Sequence, residues 1–247
     1  FRSSSPELAH IPRGKNNLIY QVAEHVAKML GKTLPACAVE MKSEIPLARG
    51  MGSSAAAIVA GIELANQLTD AHLTETEKVR FASVWEGHPD NVAPAIYGGL
   101  VVGAHNEERT DVIYCGVPDI DIVMLIPNEK LKTKTSRSVL PKMMPYKDAV
   151  RASSISNVLI AAILKNEWEI AGEMMMKDLF HQPYRMELVP RLGEVMRGAK
   201  ELGAYGAALS GAGPAIICFA KKGTGAFLQT KLSAAFPDFS VEQMNVA

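Results

Sequence analysis

Between Asn16 and Leu30 apolar side chains recur every three to four residues (Leu18, Ile19, Val22, Val26, Met29, Leu30), the spacing of one buried helical face. Asn16 or Asn17 stands where such a helix needs a cap, and Gly31 stands where it ends. Residues 1–15, punctuated by Ser, Pro and Gly, read as loop, and residues 36–41 as a short strand. The stretch IPLARGMGSSAAAIVAGIELANQL changes character: a loop of small residues runs into a helix apolar on most sides, which is the pattern of a buried helix. Thr74 and Glu77 have the spacing of a capping box for a helix reaching about Glu86, and residues 86–99 are turn-rich. Strands are predicted at 100–102, 112–115 and 122–126, the last closed by Pro127. The second half is richer in helix, at 147–164, 167–180, 188–202 and 226–235, with a glycine-rich turn leading into a strand at 216–219. The pattern is α+β, in two domains, 1–118 and 119–247, with the boundary near Val117-Pro118-Asp119.

Composition removes several function classes. Lys plus Arg and Asp plus Glu both number 26, so the basic excess that a nucleic-acid binder uses against phosphates is missing. No apolar run reaches the ~18 residues of a membrane span. The opening FRSSSPELAH lacks the apolar stretch of a signal peptide. Cys37, Cys115 and Cys218 are odd in number and far apart, which offers neither a disulfide framework nor a zinc spacing and points to a reducing, cytoplasmic setting. The histidines outside the turn at residues 86–94 show no metal spacing, and the run Met174-Met175-Met176 is expected to pack within a helix.

The richest chemistry lies in RGMGSSAAA. Gly50 and Gly52 permit backbone conformations closed to larger residues, Ser53 and Ser54 add hydroxyls at a helix start, and three alanines leave that start unshielded. Unpaired N–H groups and the helix dipole there attract an anion, and a triphosphate is the natural guest. A P-loop is excluded: Gly31-Lys32-Thr33 supplies its tail, but Val26 stands where its first glycine must be. Gly50, Gly52 and Ala55 also fit a loose dinucleotide fingerprint, against which Pro46 interrupts the required incoming strand.

Pro46-Leu47-Ala48-Arg49-Gly50-Met51-Gly52-Ser53-Ser54-Ala55-Ala56 resembles the ATP-binding motif of the GHMP kinases. Leu209-Ser210-Gly211-Ala212-Gly213-Pro214-Ala215 is similar to that family's C-terminal glycine-rich motif, with Ala215 departing from the usual Ser or Thr. The resemblance implies a two-domain fold, the N-terminal half like ribosomal S5 domain 2 and the C-terminal half a ferredoxin-like α-β plait. It further implies ATP and Mg2+ as cofactors, Gly211 and Gly213 approaching the phosphates or the first loop, and a homodimer. The family's first motif is not in the sequence, so a strand and a small-residue loop lining the acceptor site are expected before Phe1.

Glu86-Gly87-His88-Pro89-Asp90-Asn91-Val92-Ala93-Pro94 resembles the signature of the homoserine kinases. That likeness implies transfer of the ATP γ-phosphoryl group to the hydroxyl of L-homoserine, a step of threonine biosynthesis. It assigns Asn91 to the amino alcohol and Glu86, with Ser54, to Mg2+, both being the oxygen donors a hard cation prefers. Arg137 and Arg185, each in a matching local string, are implied to grip the substrate carboxylate, as planar guanidinium groups do. Thr133 or Thr135 reaches the phosphates. Asp90 is the nearest carboxylate that could act as a base in a mechanism otherwise expected to have none. Two rivals remain within the fold, a kinase for another alcohol such as mevalonate or a sugar, and a nucleotide sensor without turnover. An RNA-binding protein is disfavoured by the charge balance.

Overall fold

The computed structural model describes every residue except Ser4 and Ala247, and the chain divides into two units: residues 1–47 with 52–116, and residues 48–51 with 117–247.

In the first unit, β1 (Arg2–Ser3) pairs in parallel with β2 (Glu40–Met41). The core is helical. Helix α1 (Leu18–Met29) is capped by Asn17, whose buried side chain accepts from Ile19 N at 2.9 Å and donates to Pro12 O at 2.8 Å. It lies along α2 (Ser53–Leu68), and Gly61 sets their approach, because a Cβ there would lie 2.7 Å from Ile19 O and from Val22. Ala55, Ile58, Ile62 and Ala65 of α2 meet Val22, Ala23 and Val26 of α1 in the core, which helix spacing brings to facing stripes. Helix α3 (Glu75–Glu86) opens on the full Thr74/Glu77 capping box and ends at Gly87 with φ 87°. Helix α4 (Val92–Tyr97) follows, then a hairpin of β3 (Val101–His105) and β4 (Thr110–Tyr114). Arg80 of α3 holds the hairpin tip, donating to Asn106 O at 3.0 Å, Glu107 O at 2.5 Å and Thr110 Oγ1 at 3.2 Å.

The second unit is built on β5 (Asp121–Pro127). After it come α5 (Thr133–Ser138), α6 (Tyr146–Leu164), α7 (Trp168–Met176), α8 (Gln182–Arg185) and α9 (Leu192–Glu201). The chain then forms β6 (Gly206–Leu209), β7 (Ile216–Ala220), α10 (Gly225–Ala235) and β8 (Phe239–Met244). The four strands make one antiparallel sheet in the order β6-β7-β5-β8, the strand order of the expected α-β plait. Val195, Met196 and Ala199 of α9 and Leu228 and Leu232 of α10 cover Val123, Leu125, Ile216 and Cys218 of the sheet. Burial pushes the Cys218 thiol up to about 12, so it behaves as an apolar group. Asp121 is almost fully buried, and its carboxylate accepts from Gly223 N and Gly225 N, each at 2.9 Å, where α10 begins.

Several expectations shift. The strand expected at 36–41 narrows to Glu40–Met41, where β1 supplies the only ladder contacts among the described residues. The helix expected at 167–180 stops at Met176, because the Asp178 carboxylate captures the N–H groups of Phe180, His181 and Gln182. The helix expected at 188–202 begins at Leu192. Short α4 emerges within the turn-rich stretch 86–99, and α5, α8 and β6 where no element was expected. No helix among the described residues is long and apolar enough to cross a membrane.

Candidate active site

In the first unit, Ser53 and Ser54 form the first turn of α2 behind Gly52. Gly52 has φ 75° and no side chain caps the helix, in contrast to α1 and α3. The left-handed conformation that an N-capping Ser or Asp does not ordinarily adopt is available to glycine at no cost. The N–H groups of that first turn are therefore without a side-chain cap, the arrangement by which helix N-termini receive anions. Gly52 and Ser54 are exposed, and a Cβ built on Gly52 would meet nothing within 4 Å, so the turn is open on that side. A cavity of about 620 Å3 opens beside it, lined among others by Asn17, Ile45, Leu47, Ser53, Ser54 and Ala57. Pro46 stands between Ile45 and Leu47 of this lining.

At the other end of α3, the turn at residues 86–91 strings four polar side chains together. Glu86 Oε1 lies 3.8 Å from His88 Nε2, and His88 Nδ1 is in ion-pair contact with Asp90 Oδ1, off the line of an aligned hydrogen bond. Asn91 Nδ2 donates to Asp90 Oδ2 at 3.2 Å. Asn91 precedes α4 without capping it, so its side chain is not committed to the helix.

In the second unit, Ala48, Arg49, Gly50 and Met51 pack against the C-terminal glycine-rich turn. Ala48 has φ 56° and Gly50 φ 75°. A Cβ on Gly50 would lie 2.5 Å from Ser210 O and 3.0 Å from Gly213 O, so only glycine fits there. Ser210 Oγ donates to Gly50 O at 2.8 Å, and Ala215 N to Arg49 O at 3.1 Å. Arg49 itself donates to Pro127 O and Asn128 O, each at 3.0 Å. Met51 joins Met124, Ile126 and Ala215 in a small apolar cluster, surroundings that suit the alanine at a position where a hydroxyl is usual. Of the two approaches open to Gly211 and Gly213, the turn they belong to is packed on the first loop.

Two further elements, α5 and α8, converge on the same turn. Ser136 of α5 is fully buried, and its hydroxyl donates to Ala212 O at 2.6 Å. Arg185 of α8 is buried and donates from Nη1 to Gly211 O at 3.0 Å and from Nε to Ser136 O at 3.3 Å. Gln182 donates to Met175 O at 3.0 Å and accepts from Leu209 N at 3.1 Å. Burial lowers the Arg185 pKa from its ordinary value, Asp178 opposes this, and the like charge of Arg137 lowers it further. Two guanidinium groups near enough to repel are relieved by an anion between them. Thr133 is the first residue of α5, four positions ahead of Arg137. Ser136, Gln182, Ser210 and Asp178 had not been singled out. Only Ser210 carries a sequence signal, its place in the glycine-rich motif.

Residues 17–99 match the family model of the GHMP kinases N terminal domain, and residues 159–238 that of the GHMP kinases C terminal. The fold and both glycine motifs thus define a GHMP kinase. Among curated proteins, the homoserine kinase of Halalkalibacterium halodurans is 60% identical over 98% of this chain and 79% of its own. That of Shouchella clausii is 52% identical over 100% of this chain and 83% of its own. The chain belongs to the homoserine kinase family, and spans about four-fifths of these relatives' length. Among solved structures, the homoserine kinase of Cytophaga hutchinsonii superposes with a TM-score of 0.80 at 26% identity, covering 100% of this chain and 81% of that one. The mevalonate kinase of L. major shares the fold alone, at TM-score 0.67 and 19% identity over 99% of this chain and 81% of its own.

Proposed function

We propose that the chain transfers the γ-phosphoryl group of ATP to the side-chain hydroxyl of L-homoserine, yielding O-phospho-L-homoserine and ADP in threonine biosynthesis. The observation that carries this reading is the uncapped first turn of α2, in a chain whose close relatives are homoserine kinases. Phosphoryl transfer asks a protein mainly for positioning and charge stabilisation. The N–H groups of Ser53 and Ser54 receive phosphate oxygens, and the cavity beside them takes the nucleoside. Arg49 and Gly50 hold the loop in shape through their backbone and the Ser210 turn. Thr133 adds a hydroxyl toward the phosphates.

Mg2+ fits the donor set assigned to it: the Ser54 hydroxyl and the Glu86 carboxylate are hard oxygen ligands, and phosphates and water complete such a shell. When bound, the ion offsets phosphate charge. Arg137 and Arg185 hold the homoserine carboxylate, and Asn91 orients the amino alcohol. Asn91 Nδ2 donates to Asp90 Oδ2, and we read Asp90 as orienting Asn91 in a base-free reaction, the hydroxyl proton passing to an oxygen of the transferred phosphoryl group. Residues 1–118 form the ATP-binding domain and 119–247 the C-terminal one, apart from the loop 48–51, which packs with the latter. The setting is the cytoplasm, and the assembly a homodimer, which light scattering would check.

The test is an acceptor panel with coupled ADP detection. L-homoserine should be turned over at least a hundredfold more efficiently than mevalonate or galactose. Turnover of another alcohol in its place would move the chain to a different branch of the fold. ATP binding without ADP release from any acceptor would make it a sensor.

A further inference from the structure

Ser136 stands between Thr135 and Arg137, and the reaction as proposed gives it no role. Yet it is fully buried and bonded beyond its own helix twice, once to the glycine-rich turn and once to Arg185. Its hydroxyl donates to Ala212 O at 2.6 Å, tying α5 to the glycine-rich turn. Its carbonyl accepts from Arg185 Nε at 3.3 Å, while Arg185 Nη1 donates to Gly211 O at 3.0 Å. These bonds close a ring: α5 to the turn, the turn to Arg185, Arg185 back to α5. Two edges of the guanidinium are thereby fixed on carbonyls. Nη2 has no hydrogen-bond partner among the described residues, so two N–H groups stay available in a fixed direction.

The ring also answers an electrostatic problem. Arg137 and Arg185 repel each other, and burial disfavours the charge on Arg185. A flexible side chain would relax by swinging into solvent, away from its neighbour. Ring closure through Ser136 prevents that and holds the Arg185 guanidinium in place beside Arg137. Preorganised charge of this kind costs no reorganisation when the ligand arrives.

We propose that Ser136 is a positioning residue for acceptor recognition: by fastening α5 to the Gly211–Ala212 turn it fixes Arg185 in the orientation that, beside Arg137, grips the carboxylate of the amino-acid acceptor. The proposal rests on the reading that these arginines bind that carboxylate. Removing the hydroxyl leaves the Ala212 carbonyl without its donor and lets α5 shift, so that Arg185 loses the alignment of its Nε bond.

The test is steady-state kinetics on Ser136→Ala, Arg185→Ala and the double variant, with thermal melting alongside. Ser136→Ala should raise the homoserine KM about tenfold, with the ATP KM changed less than twofold. In the Arg185→Ala background the same substitution should change the homoserine KM less than twofold, because its effect runs through that arginine. Equal effects in both backgrounds, or a lowered Tm with both KM values unchanged, would overturn the proposal. Should the alanine variant not fold, Ser136→Cys and Ser136→Thr decide. Cysteine, a weak donor of similar size, should raise the homoserine KM while threonine keeps it near wild type. No rise with cysteine rejects the role. Failure of the underlying reading looks different: Arg185→Ala alone would then leave the homoserine KM unchanged.

Discussion

Asp90 is exposed, and its two oxygens face a ring nitrogen of His88 and the amide of Asn91. The contact with Asn91 suits its charge to orienting that amide. Asp90→Asn keeps a planar side chain of the same size and removes only the charge. We expect kcat at saturating homoserine to fall less than tenfold, measured by acid-quenched single turnover. A loss of 10²–10⁴, the usual scale for a missing general base, would instead place proton abstraction on Asp90.

At the scale of elements, the tightest contact in the second unit is between α7 and β6. A Cβ on Gly172 would fall on the Tyr205 carbonyl, and one on Gly206 on the Gly172 carbonyl. Both obstacles are backbone, which cannot rotate aside as a side chain can. Gly172→Ala should therefore cost about 3 kcal/mol, the upper range for overpacking, in urea unfolding. Gly14→Ala serves as its control: nothing lies within 4 Å of the added Cβ and φ is not left-handed, so stability should change by less than about 0.5 kcal/mol. The same scale shows what the sequence could reveal. Helix α1 announced itself because period, cap and terminal glycine agree over its 12 residues, and α3, also of 12, through its capping box. Helices α5 and α8, of 6 and 4 residues, are too short to display a period. They exist through bonds to distant backbone, Ser136 to Ala212 and Arg185 to Gly211. Strand β6, Gly-Ala-Ala-Leu, carries no β-branched residue and is a strand because β7 pairs with it. The glycine loop and the 86–94 turn were legible because their chemistry is local. The supports of the arginine pair were not, since Gln182 and Leu209, or Ser136 and Arg185, meet only in the folded chain.

Acid stability belongs to the whole molecule, and its acidic and basic residues balance at 26 each near neutrality. Lowering pH breaks that balance first at ordinary carboxylates and last at those that the fold holds ionised. Asp178 is such a group. Burial works against its charge, but His181 and the N–H groups of Gln182, Phe180 and His181 outweigh that and lower its pKa from 3.8 to about 2. Between those values the unfolded chain binds more protons than the folded one, so stability there rises with pH. The contribution is complete above the unfolded value of 3.8 and is lost as pH falls through about 2. A drop of that size corresponds to about 2 kcal/mol. Asp178→Asn keeps an oxygen acceptor for the turn but forfeits the charge. The variant should thus be less stable than wild type by about 2 kcal/mol at pH 7, and the gap should close as pH approaches 2. Urea midpoints for both proteins at pH 7, 5, 3.5 and 2.5 measure this directly, the buffers here being a choice of roughly even steps across the window. A gap that persists unchanged to the lowest pH would mean that the Asp178 turn is held by its hydrogen-bond geometry and not by its charge.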